Sequence, residues 1–321
     1  MNNQIPLPLR SPARRFVEQI YHSVPAYLEE LKNIRSLHEL YTWLYFKFPY
    51  HFPIANFPIY VGVELTNVCN FSCIHCPRST MKREIGSMDV YLFDKLIREV
   101  SFYRNRTVTI GGYGEPALHP QFNKLMSSLK PHNIKVILYT NGTLLQMYDH
   151  QEILKWNISI LVVSIDGIDV ESYERIRVGG KLNKLRNSLR DFFNLRDTLG
   201  TRSPQIEIRH VIMPNETSNQ LLQFRNRWLA ISDRVKFNYL ELPKEEKEVQ
   251  NWRPKCRSIR RQSGALWDGR VHLCAYSDEV IGNLQTTSIK ELWQCSRKEF
   301  IRECHKSGSF KEFPLCRICP P

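Results

Sequence analysis

Hydrophobic residues recur at two spacings along this 321-residue chain, and the changes of spacing divide it into three regions. From Arg14 to Phe48 they fall at roughly helical intervals, broken at Pro25 and ended by Pro49, so residues 1–57 read as a helical extension. From Ile59 to about Leu242, short β-branched runs alternate with longer amphipathic stretches. Runs 59–65, 107–111, 135–140, 159–166, 205–212 and 235–241 predict strands, and 89–101, 121–129, 183–199 and 218–231 predict helices. Such alternation implies βαβ units on a parallel sheet, an α/β fold. Six units suit a partial (β/α)6 TIM-like barrel, although an open doubly wound sheet alternates in the same way; in both, ligands meet the C-terminal ends of the strands.

After Pro243 the pattern changes again. Residues 244–255 are charged and loop-like, 263–275 read as a hairpin turning at Asp268-Gly269, and 288–295 read as a helix before a cysteine-rich tail. The domains expected are therefore 1–57, 58–243 and a small 244–321 unit. That last unit has little core of its own, and bound metal is a way to stabilise it.

An apolar fraction of 42% with 24% charged residues is ordinary for a globular protein and excludes a disordered or collagen-like chain. No apolar run is long enough to span a bilayer, and the first ten residues lack the pattern of a secretory signal. Nine cysteines in such a chain point to metal ligation or catalysis in a reducing cytoplasm, not to a disulfide framework. The net charge of +13 is spread over all three regions and forms no basic tail for nucleic acid. It favours anionic partners, whether nucleotide, phosphate ester, RNA or membrane surface, and is consistent with an anionic small-molecule substrate without choosing among them. Tyr41, Trp43, Tyr45, Phe46, Phe48, Tyr50, Phe52, Phe57 and Tyr60 crowd one stretch. They suit either a covered flank of the main domain, or a wall for an apolar substrate or a surface for peripheral membrane contact through residues 41–60.

The strongest chemical signal comes just after the first strand. Cys69, Cys73 and Cys76 lie within eight residues, and soft sulfur ligands select zinc or iron–sulfur centres. A structural zinc site takes four ligands, whereas three thiolates on a [4Fe–4S] cube leave one iron open. Strand parity adds Glu207 and Arg209, which oppose the apolar face of Ile206, Ile208, His210 and Ile212 and so point into the barrel. In the sixth strand Tyr239 and Glu241 share one parity and Lys236 and Asn238 the other, and the pattern does not choose between them.

Cys-x3-Cys-x2-Cys after a first barrel strand resembles the radical S-adenosylmethionine (radical SAM) superfamily. The other landmarks come in order: Gly111-Gly112-Tyr113-Gly114-Glu115, Thr140-Asn141-Gly142 and Ser164-Ile165-Asp166-Gly167, each ending a strand. The resemblance implies that an open iron chelates SAM, and that reductive cleavage gives a 5′-deoxyadenosyl radical which abstracts hydrogen. It assigns Gly111, Gly112, Gly114, Glu115, Asn141, Ser164, Asp166 and Arg177 to SAM and sets His75 near the adenine. A second group, Cys256, Cys274, Cys316 and Cys319, resembles the SPASM/twitch auxiliary-cluster module; because no further cysteines come after it, the shorter twitch form with one four-cysteine [4Fe–4S] cluster is expected. Cys295 and Cys304 stay unassigned.

The resemblance extends to twitch-bearing dehydrogenases that oxidise secondary alcohols of cyclitols. It implies a flavodoxin- or ferredoxin-type electron donor and an oxidation of a sugar or cyclitol derivative; the candidate catalytic residues, Arg209, Glu207, Tyr239 and Glu241, come from strand parity alone. Maturation of a ribosomally made peptide, modification of RNA and a non-catalytic iron–sulfur scaffold are the competing expectations.

Overall fold

The computed structural model describes residues 49–239 and 256–310, with Leu40, Leu44, Phe313, Cys316 and Cys319. Most of the expected helical extension therefore lies outside the described residues, as do Glu241, the 244–255 loop and Tyr41, Trp43, Tyr45, Phe46 and Phe48.

Six parallel strands appear where the alternation predicts them: β1 (Tyr60–Val63), β2 (Thr107–Ile110), β3 (Lys135–Thr140), β4 (Ile160–Ser164), β5 (Gln205–Ile212) and β6 (Arg234–Tyr239). Strands β1, β2 and β4 are shorter than the hydrophobic runs, and Leu65 and Ile165, just past β1 and β4, are buried in the loops that carry the site. Helices return the chain between them: α1 (Val90–Ser101), α2 (Phe122–Ser128), α3 (Leu144–Met147), α4 (His150–Lys155), α5 (Val170–Ile176), α6 (Leu182–Thr198) and α7 (Ser218–Leu229). Local chemistry starts them. Asp89 accepts from Tyr91 N and Leu92 N at the head of α1, and Asp169–Ser172 and Thr217–Gln220 form capping boxes on α5 and α7.

One parity of each strand is apolar and packs on the helices: Val61 and Val63, Val108 and Ile110, Val136 and Leu138, Leu161 and Val163, Ile206 and Ile208. The other parity lines a concave face and carries small or polar residues, among them Gly62, Thr109, Tyr139, Ser164, Glu207 and Arg209. This is the partial TIM-like barrel of an α/β fold.

The C-terminal segment is joined to that barrel more closely than a separate small unit would be. Strand β7 (Gln262–Ala265) pairs in parallel with β1, and the antiparallel β8 (Arg270–His272) and β9 (Val280–Asn283) continue one nine-stranded sheet, β6-β5-β4-β3-β2-β1-β7-β8-β9. The expected hairpin is present, with Gly269 at φ 84° in its turn. Helix α8 (Ile289–Trp293) starts at a Ser288–Glu291 capping box, and α9 (Ser296–Ser307), which the hydrophobic pattern does not predict, comes next. Val271, Leu284, Ile289 and Leu292 enter the main core, while Ile259, Leu273, Ile301, Cys304, Phe313 and Cys316 form a small second one. The described part of the aromatic stretch docks here: Tyr50 Oη donates to Cys256 O (2.8 Å), and Trp293 Nε1 donates to Ala55 O (2.7 Å).

Candidate active site

Cys69, Cys73 and Cys76 stand half-buried on the loop after β1. Its backbone is pinned on two sides, Ser72 N to Val178 O (2.9 Å) and Ile74 N to Ile176 O (3.0 Å) on one, and Asn141 Nδ2 to Asn70 Oδ1 (3.0 Å) on the other. Burial pushes the Cys69 and Cys73 thiols up, and the nearby Cys76 raises each of them further. Two polar groups face the sulfurs: Asn141 Nδ2 lies 4.0 Å from Cys69 Sγ and Arg177 Nη1 3.9 Å from Cys73 Sγ. Among the described residues no three His, Cys, Asp or Glu groups gather tightly enough for a single metal ion. The donors on this loop are three soft thiols, which suit an iron–sulfur cube and would leave its fourth iron open.

Asp166, fully buried just past β4, ties the site together. It accepts from Val211 N (2.7 Å) and from Arg177 Nε (2.7 Å), and His75 Nε2 lies 3.5 Å away. Burial works against the charge on Arg177, but Asp166, with Cys73 and Tyr173 adding to it, more than offsets that and keeps the guanidinium charged. Burial pushes His75 down, and its Nδ1 is buried with no hydrogen-bond partner, an atom placed to meet a ligand.

Glu115 is the second buried hub. Its carboxylate accepts from Thr140 Oγ1 (2.7 Å), Asn141 N (2.7 Å) and Ala117 N (3.3 Å), which locks the glycine segment to the end of β3. Burial pushes its pKa up to about 7 despite those donors. The glycines read differently in space than in sequence. A Cβ on Gly114 would lie 2.1 Å from Thr66 O, and one on Gly112 2.8 Å from Glu64 Cγ, so both glycines admit the cysteine loop and its strand as well as any ligand. Gly111 faces Tyr139 in the same way.

On the concave wall Glu207 is almost fully buried and paired with Arg209, with Lys236 Nζ (2.9 Å) and with Arg234 Nε (3.8 Å). Lys236 and Arg209 hold its carboxyl below the usual range although burial works the other way. Arg209 Nη1 donates to Tyr139 Oη (3.1 Å). Lys236, not Tyr239, is thus the barrel-facing parity of β6: Phe237, on the parity of Tyr239, packs on His210 and Phe224, and Tyr239 is 80% exposed. Sequence parity leaves that choice open; the ion pair to Glu207 resolves it. Glu64 and Arg83, joined by two bonds of 2.7 and 3.0 Å, belong to no motif of the sequence, yet the alternation that places Gly62 on the concave face also places Glu64 there. A cavity of about 410 Å³ lined by Lys135, Thr201, Arg202 and Gln205 lies at the N-terminal ends of the strands, away from the cysteine loop but next to Arg234, whose Nη2 donates to Gln205 Oε1 (2.6 Å).

The second cysteine group also gathers. Burial, then the neighbouring Cys256 and Cys319, raise the Cys274 thiol. Cys316 Sγ lies 3.6 Å from His305 Nε2, whose Nδ1 accepts from Cys256 N (3.4 Å). Cys256, Cys274 and Cys316 pack around one small core with Cys319 near Cys274, and sulfur donors so placed suit a polynuclear cluster. Cys304 is buried in that core and Cys295 sits at the head of α9. His305 has no signal in the sequence beyond lying on a helix beside cysteines.

The radical SAM superfamily model matches residues 63–227, just over half of the chain, and the chain belongs to that superfamily. An iron–sulfur cluster-binding domain of the SPASM type matches residues 256–320. The two domains carry a SAM-binding [4Fe–4S] cluster and an auxiliary iron–sulfur cluster. The chain is similar to a tungsten-containing aldehyde ferredoxin oxidoreductase cofactor-modifying protein of Pyrococcus furiosus, 28% identical over 50% of this chain and 46% of that protein. It is also similar to mycofactocin maturase MftC of Mycobacterium tuberculosis, 29% identical over 42% and 34%. The matches thus span less than half the length of these curated relatives. Among solved structures, BtrN in complex with AdoMet and 2-DOIA has a TM-score of 0.53 at 19% identity, over 81% of this chain and 92% of that one. Streptococcus suis SuiB bound to its precursor peptide SuiA has 0.64 at 13%, over 100% and 79%. No described helix is long and apolar enough to cross a membrane.

Proposed function

We propose that this radical SAM enzyme oxidises a secondary alcohol of a polar small molecule, of the sugar or cyclitol kind, with the auxiliary cluster as electron acceptor. The observation that carries this reading is the concave wall, where Glu64, Arg83, Tyr139, Glu207, Arg209 and Lys236 make a polar lining next to the cysteine loop. The likeness in fold to BtrN, solved with AdoMet and 2-DOIA, supports it.

When bound, the first cluster with SAM supplies a 5′-deoxyadenosyl radical and the second a one-electron acceptor. The substrate gives up a hydrogen atom from its carbinol carbon, the hydroxyl proton and one electron, and leaves as a ketone. Cys69, Cys73 and Cys76 hold the first cluster, with Asn141 and Arg177 beside their sulfurs. Arg177, fixed by Asp166, holds the carboxylate end of SAM, with Ser164 at the adjoining strand end. His75 presents its unpartnered Nδ1 to the nucleoside. Gly111, Gly112, Gly114 and the Glu115 brace shape the loop above β2. Cys256, Cys274, Cys316 and Cys319 hold the auxiliary cluster. Glu207, with its proton affinity depressed, is poorly suited to take the hydroxyl proton and instead orients Arg209 toward the substrate.

Anaerobic incubation of the reconstituted full chain with SAM and reductant should release 5′-deoxyadenosine, and Cys73→Ala should abolish it. Deuterium placed on the carbinol carbon of candidate polyols should appear in that product. An iron-loaded protein that releases none overturns the reading.

The second reading, modification of a ribosomally made peptide, is supported by the likeness to peptide-bound SuiB over the whole of this chain. Label transfer from peptides and from no polyol would favour it.

A further inference from the structure

The concave wall carries more positive charge than it neutralises. Register partners run across three strands in two rows: Ser164, Arg209 and Lys236 in the upper, Val162, Glu207 and Arg234 in the lower. Lys135 belongs to the same surroundings, since burial lowers its proton affinity and Arg234 and Lys236 lower it further, against a smaller opposing pull from Glu207. Three cations therefore pair with one carboxylate, with Lys135 close enough to feel them, and among the described residues Glu207 is the only acid ion-paired with any of the four. The donors are not used up either: Arg209 Nε is buried without a hydrogen-bond partner, and Arg234 Nε, 3.8 Å from Glu207 Oε2, also makes no hydrogen bond. Arg209 is held rigidly, its guanidinium bonded to Tyr139 Oη and lying over the Tyr139 ring with the centroid 5.0 Å away. Like charges kept this close at a half-buried wall repel one another unless an anion joins them.

We propose that Arg209 and Lys236 form a receptor for an anionic oxygen group, carboxylate or phosphate, carried by the substrate of this site. The inference rests on the radical SAM enzyme reading and adds the substrate's charge class to it. The upper row explains the placement: Ser164 ends the strand whose loop carries Asp166, so the receptor lies one and two strands beyond the region proposed for SAM. An anion there anchors the far end of a small molecule while the rest of it lies against the polar wall. Arg209 offers a planar fork for bidentate contact, and Lys236, half-exposed at the edge strand β6, supplies a mobile second charge.

The test titrates inorganic phosphate and, separately, acetate into the reconstituted full-length holoprotein by anaerobic calorimetry, with and without saturating SAM. Saturable binding of at least one anion, unchanged by SAM and weakened about 10-fold or more by Arg209→Gln and by Lys236→Met, is expected. Tighter phosphate binding marks a phosphorylated substrate and tighter acetate binding a carboxylate. Lys236→Met removes an exposed side chain, so it reports on the receptor even if Arg209→Gln unsettles the Glu207 pair. The proposal is overturned if neither anion binds, if Lys236→Met binds like the wild type, or if SAM displaces the anion competitively, which would make the receptor part of the SAM site. Release of 5′-deoxyadenosine by the same wild-type preparation is scored separately, so a failed radical reaction and a failed receptor give different results.

Discussion

Gly114 shows how a residue visible in the sequence can carry a constraint that is not. The repeated glycines after β2 are legible as a tight segment at a strand end, and their order among the cysteines and strand ends is what makes the superfamily recognisable. Their neighbours are not legible, because a glycine's empty side depends on which chain packs there. In the fold it is the backbone of the cysteine loop: a Cβ on Gly114 would meet Thr66 O at 2.1 Å and Val68 O at 2.7 Å, while Glu115 N donates to Val68 O (2.8 Å). Backbone cannot rotate aside as a side chain can. Gly114→Ala should therefore destabilise the protein by about 1–3 kcal/mol and loosen the cysteine loop. Thermal unfolding with iron quantitation checks it; a variant with wild-type midpoint and full iron content would show that the contact yields freely. The buried acceptor next door gives a paired expectation. Glu115→Ala leaves Thr140 Oγ1 and Asn141 N without their partner and should cost ~1–3 kcal/mol by the same measurement.

Helix α9 is the element that the hydrophobic pattern conceals. Its buried positions, Lys298, Ile301, Arg302, Cys304 and His305, keep helical spacing, but most are polar, so a reading by apolar periodicity sees only a cysteine-rich tail. The partners that make burial tolerable come from elsewhere in the chain. Lys298 Nζ donates to Ser263 Oγ on β7 (3.0 Å), and both Lys298 and Arg302 lie over the Trp293 ring, at 4.8 and 4.0 Å. Burial, with Arg302 adding to it, brings the pKa of Lys298 down to about 7 from its ordinary 10.5. Between those values the unfolded chain binds a proton that the folded protein does not, so stability rises with pH across that window. Below about 7 both states are protonated and the slope vanishes. Lys298→Met should flatten this dependence, measured as the denaturation midpoint at a series of pH values above that point. An unchanged slope in the variant would assign it to another group.

The whole sheet decides how the C-terminal segment is held against the barrel. The alternation over residues 59–242 is enough to foresee six parallel strands and a concave face. For the C-terminal segment the natural expectation is a separate small unit stabilised by metal, since residues 256–310 contain few long apolar runs. What the hydrophobic pattern lacks is the strand partner: β7 is a short run, Gln262–Ala265, that gains its place by pairing in parallel with β1, residue for residue from Tyr60↔Gln262 to Val63↔Ala265. Long-range pairing of this kind leaves no local trace in composition. It gives the C-terminal segment a share of the main core through Val271, Leu284, Ile289 and Leu292, and it closes an edge of β1 that would otherwise be open. Two variants separate the cluster's contribution from that of the pairing. A Cys274→Ser, Cys316→Ser protein should lose its auxiliary iron yet keep one cooperative unfolding transition, because β7 and the helices behind it still pack on the barrel. A chain ending at residue 243 keeps every residue of the first cluster loop but exposes the β1 edge and the apolar faces that α8 covers. It should aggregate or unfold without a cooperative transition, as scattering and circular dichroism would show. If the shortened chain folds cooperatively and loads iron, the barrel is independent of the segment that completes its sheet, and the auxiliary cluster rather than β-pairing is what holds that segment in place.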